Sequence, residues 1–231
     1  MRKFLLTAYY FVLQSKLMEA NWAAAHLQTI RTLMERSALY RRALAPVMTF
    51  NGAVGTAAAI LGCIFKIDAP RTFILFCAGV GVLALAGSFL LVRRQALRES
   101  EPFWSPPTRR ITQAMMPPLA AGLIIGVIAL AYVGSAPDNL GPVLGMLWLP
   151  LSWVVLYGCA FHAAGFFMPR GMKLFGWAFI VGGCSLFAVG IPDWPPRPGL
   201  YAHGIMGLFF GALHLAYGVY LYFTEQRKNV A

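Results

Sequence analysis

Charged residues are scarce in this chain, and acidic residues are the scarcest. Only 12% of the 231 residues are charged, about half the usual quarter, and Asp and Glu together number 8. Apolar residues make up 59%, above the usual range of about 45–50%. A soluble domain of this size could not cover its surface with so few charges, and a disordered chain would not be so apolar. The composition excludes both classes and indicates a protein that crosses a membrane several times.

Motifs for catalysis and for cysteine chemistry are also missing. The chain has no Walker loop, HExxH or GxSxG sequence, so we predict no catalytic residue and interpret the protein as non-enzymatic. Its four cysteines lie inside apolar runs without a CxxC pair, which disfavours a disulfide framework. No Asp, Glu, Lys or Arg falls deep inside a predicted span, which disfavours coupling to protons or sodium ions.

Six apolar runs approach the roughly 20 residues that a helix needs to cross a bilayer. They lie at residues 46–65, 72–92, 115–134, 147–168, 173–191 and 201–223. Pro117 and Pro118 are expected to open the third helix, since proline is tolerated in the first turn. We predict an all-α membrane protein: a cytoplasmic or interfacial segment 1–45, a six-helix transmembrane domain 46–223, and a cytoplasmic tail 224–231.

The basic residues cluster on one side of this predicted topology. Sixteen of the 19 Lys and Arg residues fall on the side of the two termini. The positive-inside rule then predicts a multi-pass protein of a bacterial inner membrane with both termini in the cytoplasm. The net charge of +11 is explained by this bias and by contact with anionic lipid at the cytoplasmic face. No nucleic-acid-binding motif is present, so nucleic acid is not a predicted partner.

Two patterns occupy the N-terminal segment. Residues 1–17 begin Met-Arg-Lys and continue with an apolar run. Three interpretations stay open: a cleaved signal peptide, an interfacial helical turn, and an extension upstream of a true start at Met18. Residues 20–45 place apolar side chains near one helical face and basic ones largely elsewhere, which predicts an amphipathic helix lying on the cytoplasmic leaflet.

The third and sixth predicted helices resemble each other. Residues 122–132 and 207–217 both read Gly-Leu-x-x-Gly-x-x-x-Leu-Ala-Tyr. One interpretation is a 3+3 inverted repeat, an arrangement common among transporters; the other is chance similarity between apolar helices. In either case the GxxxG spacing predicts close helix packing at four glycines: Gly122, Gly126, Gly207 and Gly211.

A few polar side chains lie inside the predicted spans. His162 and His214 fall at similar depth in two helices that run in the same direction. Separate hydrogen bonding of each ring is the preferred interpretation, and no metal or cofactor is predicted; ligation of haem b by the pair is the alternative. Tyr217 is the expected partner of His214 on its own helix, and Asn51 is a further candidate for an intramembrane polar contact. His203 is expected near the outer surface, in solvent.

Two short motifs lie near the ends of the chain, Met34-Glu35-Arg36-Ser37 before the first span and Leu213-His214-x-x-Tyr217-Gly218 in the last. In both, the chain resembles an uncharacterised bacterial family of six-transmembrane-helix proteins. The function of that family is unknown, so the resemblance implies the fold alone. It also draws attention to Glu35, Arg36 and Ser37 as candidate residues for docking a partner.

Three functions are compatible with this sequence. The preferred one is a non-enzymatic component of a membrane complex, or a protein that binds a protein partner or a second copy of itself. A small transporter or channel for a neutral or apolar cargo is the first alternative, and the inverted repeat would favour it. A redox protein with haem b between His162 and His214 is the second.

Overall fold

The computed structural model describes residues 44–98, 100, 102–134, 140–168, 170–189 and 198–229, together with residue 22. Several predictions concern other residues and lie outside this part of the chain. They are those for the segment 1–17, for nearly all of the amphipathic helix 20–45, and for Glu35, Arg36 and Ser37.

Six helices long and apolar enough to cross a membrane make up the described chain. They are α1 (Leu44–Ile64), α2 (Pro70–Arg98), α3 (Pro106–Val133), α4 (residues 140–164), α5 (Arg170–Val189) and α6 (residues 198–229). The predicted six-helix membrane fold is therefore confirmed. The last helix continues to Asn229, so the described part of the predicted tail is helical.

Two of the six helices contain a wide turn with π-helical hydrogen bonding. In α4, the turn Leu144–Trp148 separates Leu140–Val143 from Leu149–Ala164. In α6, the turn Gly207–Leu213 separates Pro198–Met206 from His214–Asn229. Such turns insert an extra residue into an α-helix and occur often at functional sites.

The third helix begins earlier than the sequence indicates. Ser105 has an extended backbone and Pro106 takes the first helical position, where the missing amide hydrogen of proline costs nothing. The helix then continues through Pro117 and Pro118. The expectation that these two prolines open the helix was therefore wrong, because the other Pro-Pro pair, eleven residues earlier, opens it.

Helices α1 and α6 pack closely and antiparallel over most of their length. A methyl group on Gly52 would lie 2.5 Å from the backbone nitrogen of Leu215, and one on Gly211 would lie 2.9 Å from that of Thr56. Near the other end, Gly62 faces the ring of His203. Small residues let two backbones approach in a membrane, where van der Waals contact drives association.

Helix α4 lies at the centre of the described bundle. On one side, Gly158 faces the carbonyl oxygen of Gly176 in α5, 2.8 Å from where a methyl group would be. On the other side, the indole Nε1 of Trp153 donates a 2.9 Å hydrogen bond to the carbonyl oxygen of Gly122 in α3. In an apolar 18-residue stretch of Leu144–Ala164, half of the residues are buried, against 6% in the corresponding stretch of Pro70–Arg98. The best-protected interior therefore lies along α4.

Candidate functional site

His214, directly after the wide turn in α6, is one of the two most enclosed polar side chains of the described chain, together with His203. It is 1% exposed. Its Nδ1 lies 3.0 Å from the carbonyl oxygen of Phe209, five residues earlier. A carbonyl oxygen only accepts hydrogen bonds, so Nδ1 carries the proton and donates. The neutral ring then presents Nε2 as an acceptor.

Tyr157 of α4 supplies the donor for that second nitrogen. Its Oη lies 2.8 Å from Nε2 of His214. The phenol O–H donates to the unprotonated nitrogen, which joins α4 to α6 by a side-chain hydrogen bond. Both ring nitrogens of His214 are therefore occupied by partners within the protein.

Aromatic rings surround this hydrogen-bonded pair. The rings of Phe175 and Phe179, both on α5, stand edge-on to the imidazole, with centroids 5.0 and 5.5 Å away. The ring of Phe161 is also edge-on at 6.4 Å, and that of Phe210 is stacked at 6.1 Å. Edge-to-face geometry is the favoured arrangement of such rings. We call His214, Tyr157 and these four phenylalanines the aromatic cluster; it brings together α4, α5 and α6.

Tyr217, the partner expected for His214, lies beside the cluster without bonding the histidine. Its ring is stacked on Phe175 at 4.8 Å. Its Oη is buried and has no hydrogen-bond partner, and it lies close to Gly171 near the start of α5. The structure therefore gives His214 a partner from another helix, one that sequence spacing along α6 could not indicate.

His162, the second histidine of the predicted pair, has different neighbours. Its ring contacts Trp177 at 5.3 Å and Phe166 at 5.7 Å, while its Nδ1 is buried without a partner. Within the part of the chain that the structure describes, no hydrogen bond or ring contact joins it to His214. Ligation of a haem iron by His214 would first require the loss of Tyr157 or Phe209 from its ring nitrogens.

The remaining polar candidates lie at other helix contacts. The amide oxygen of Asn51 accepts a 3.0 Å hydrogen bond from Ser88, which joins α1 to α2. His203 is 1% exposed, and its Nε2 lies 3.2 Å from the carbonyl oxygen of Ile67. The expectation of a solvated His203 was wrong, because the loop after α1 and the ring of Phe73, 5.1 Å away, cover it.

The two GxxxG pairs lie in interfaces that correspond under the predicted repeat. Gly122 and Gly126 of α3 face Trp153 of α4, at 3.5 and 3.1 Å from where their methyl groups would be. Gly207 and Gly211 of α6 face α1. If α1 to α3 match α4 to α6, these are the same helix pair in each half. The wide turns break the correspondence, since they fall in α4 and α6, which are not matched helices.

No metal-binding cluster is found in the described chain: no three His, Cys, Asp or Glu side chains there could hold one ion together. Comparison with family models, curated proteins and solved structures finds no match to the chain. The resemblance to a six-helix bacterial family stays a prediction.

Sequence reasoning missed Tyr157, although its signal is present. Tyr157 and Phe161 lie four residues apart on α4, so they share one helical face. Phe175 and Phe179 repeat that spacing on α5. Two aromatic i, i+4 pairs on consecutive helices could have been compared with the polar residue of a third helix, which is the combination that the structure assembles.

Proposed function

We propose that this chain is a non-enzymatic component of a bacterial inner-membrane complex, with both termini in the cytoplasm. The proposal is supported by the hydrogen bonding of the buried pair His214 and Tyr157. Both ring nitrogens of His214 are hydrogen-bonded, one to Tyr157 and the other to Phe209, and aromatic rings enclose the imidazole on several sides. A polar pair that is satisfied internally ties helices together and leaves no free nitrogen to react with a substrate.

The observation that carries the proposal is the exposure of α2. This helix has 29 residues, and its fully buried ones are Phe73, Ile74 and Ala96. The large side chains Leu75 and Val82 are 53% and 68% exposed. In a membrane protein such a helix faces either lipid or another protein.

Glycines on the exposed side of α2 favour another protein. Leu75, Gly79, Val82 and Ala86 are all exposed and recur at alternating spacings of four and three residues, so they form one stripe along the helix. A methyl group on Gly79 would meet nothing within 4 Å. Glycine lowers helix stability and gains nothing against lipid, but it lets a second transmembrane helix approach closely.

Site-specific photo-crosslinking in native membranes tests this proposal. A photoreactive residue at Val82 is expected to give a discrete protein adduct, and Gly79→Leu is expected to abolish it by blocking close approach. The matched control is Ile124 of α3, 58% exposed, which is expected to crosslink to lipid alone. An adduct of twice the mass of the chain would identify the partner as a second copy. Lipid adducts alone at both positions would contradict the proposal.

A transporter or channel for a neutral or apolar cargo is the second candidate. It is favoured by the matching glycine interfaces, α3 with α4 through Gly122 and Gly126, and α6 with α1 through Gly207 and Gly211. Repeats of this kind bind cargo where the two halves meet. Uptake of a small neutral solute by proteoliposomes, compared with empty vesicles, separates this candidate from the first.

Haem binding is tested by a visible absorption spectrum. Of the two candidate ligands, His162 has a buried, unpartnered Nδ1, whereas both ring nitrogens of His214 are hydrogen-bonded. A Soret band in the purified protein that is lost in both His162→Ala and His214→Ala would support the redox alternative. A band unchanged in both variants, or no band, would contradict it.

A further inference from the structure

An open, almost entirely apolar groove lies at one end of the bundle, between the beginning of α1, the end of α2 and the end of α6. Its volume is about 770 Å³, within the range of about 300–1,000 Å³ common for ligand pockets. Residues 45–53 of α1 form one wall, Leu91 contributes from α2, and Val219 and Phe223 contribute from α6. The lining offers apolar contact and little else.

The position and length of the groove match one leaflet of a bilayer. It lies next to Thr224, where the last span ends, and at the start of the first apolar run, which the sequence places at residue 46. From Ala45 to Ala53 the helix rises about 12 Å at roughly 1.5 Å per residue. One leaflet of the hydrocarbon core is about 15 Å thick. The groove therefore extends from one membrane surface through most of one leaflet, as an acyl chain does.

Two arginines continue the face of α2 that lines the groove. Arg94 and Arg98 follow Leu91 by three and seven residues, so they lie on the same side of the helix, about 4.5 and 10.5 Å further along its axis. Both are exposed. They therefore lie beyond the apolar part of the span, at the level where lipid phosphates lie. Guanidinium groups bind phosphate through paired hydrogen bonds.

We propose that this groove binds one anionic phospholipid of the surrounding bilayer. Its acyl chain lies along α1 and α6, and its phosphate contacts Arg94 and Arg98. A zwitterionic phospholipid would fill the groove as well, but its headgroup has no net negative charge. Basic residues favour a headgroup with a net negative charge. The site is separate from the exposed stripe of α2, so it does not depend on the function proposed above.

Native mass spectrometry of the protein released from nanodiscs tests the site. Discs contain equal amounts of phosphatidylglycerol and phosphatidylcholine. One phosphatidylglycerol is expected to stay bound, with a preference of about 30-fold over phosphatidylcholine, as two arginine contacts predict. Equal retention of the two lipids by the unsubstituted protein would overturn the proposal.

Two variants test the contact with the acyl chain and the contact with the headgroup separately. Ala53→Phe fills the groove and is expected to remove the retained lipid, whereas Ala78→Phe, at an exposed position of α2 outside the groove, is expected to leave it. The double variant Arg94→Gln, Arg98→Gln is expected to lower the preference to below about threefold; its control is Arg71→Gln at the other end of α2. Retention by Ala53→Phe equal to that of Ala78→Phe would overturn the proposal, as would displacement of the lipid by inorganic phosphate alone.

Discussion

The aromatic cluster and helix α2 belong to one six-helix bundle, but the cluster is enclosed by side chains and α2 is largely exposed. In the cluster, rings from α4, α5 and α6 enclose a bonded pair of polar side chains, and glycines bring the backbones together. In α2, more than half of the residues are exposed, and its contacts with the rest of the described bundle include Phe73 with His203, Gly87 with Phe50, and Ser88 with Asn51. Internal packing stabilises the first region, and an external surface characterises the second.

Replacement of a glycine by leucine is expected to give the largest difference in stability between the two regions. Gly211→Leu should lower the free energy of unfolding by about 3 kcal/mol, because the new side chain meets the backbone of Thr56 and the core cannot expand without strain. The control Gly79→Leu should not lower it, because the space around the glycine is open and leucine favours a helix more than glycine does. Titration with sodium dodecyl sulfate in mixed micelles measures both. Equal losses would mean that α2 is packed as tightly as α6.

The hydrogen bond inside the aromatic cluster gives a smaller effect. Tyr157→Phe should cost about 1 kcal/mol, because Nε2 of His214 is left unpaired away from water. Tyr217→Phe is the matched control and should be close to neutral, since its Oη has no partner. Adding His214→Phe to Tyr157→Phe should cost less than the two single losses combined, because both partners are then apolar. Unfolding in the same micelles measures the free energy of unfolding of each variant. A loss in the double variant equal to the sum of the two single losses would contradict the pairing of Tyr157 with His214.

The smallest effect is expected at the contact between α1 and α2. Ser88→Ala removes the donor to Asn51 and should lower the free energy of unfolding by about 0.5 kcal/mol, near the average for hydrogen bonds between transmembrane helices. The same titration measures it. A loss as large as that of Tyr157→Phe would remove the distinction between a well-anchored core and a lightly attached α2.

The number and approximate limits of the helices could be predicted because they depend on local composition. A run of about 20 apolar residues with few charges crosses a bilayer as a helix, because a helix satisfies its own backbone hydrogen bonds. The start of α3 was misplaced because a Pro-Pro pair can open a helix at either Pro106 or Pro117. The residue before each pair distinguishes them in the sequence, since Ser105 is of a type favoured at the N-cap and Met116 is not.

The candidate site was harder to predict because its contacts cross between helices. His214 was singled out by its polarity in an apolar run, which is a property of the sequence. Its partner depends on which helices are neighbours, and all six are apolar enough to pack in many orders. Small residues recur on α1 at alternating spacings of three and four residues, at Thr49, Gly52, Thr56 and Ala59, and they contact α6. This pattern predicts a close helix contact but does not indicate which helix is the partner.

The wide turn Gly207–Leu213 makes the length of α6 critical. Gly207 and Gly211 within it face α1, and His214 directly after it is bonded to Tyr157. Each residue of an α-helix advances the rotation by about 100°, so removal of one residue from the turn would swing everything downstream by that angle. The imidazole would then leave its aromatic surroundings, while the first half of the helix stayed in place. This segment is therefore expected to tolerate changes of side chain at its exposed positions better than any insertion or deletion.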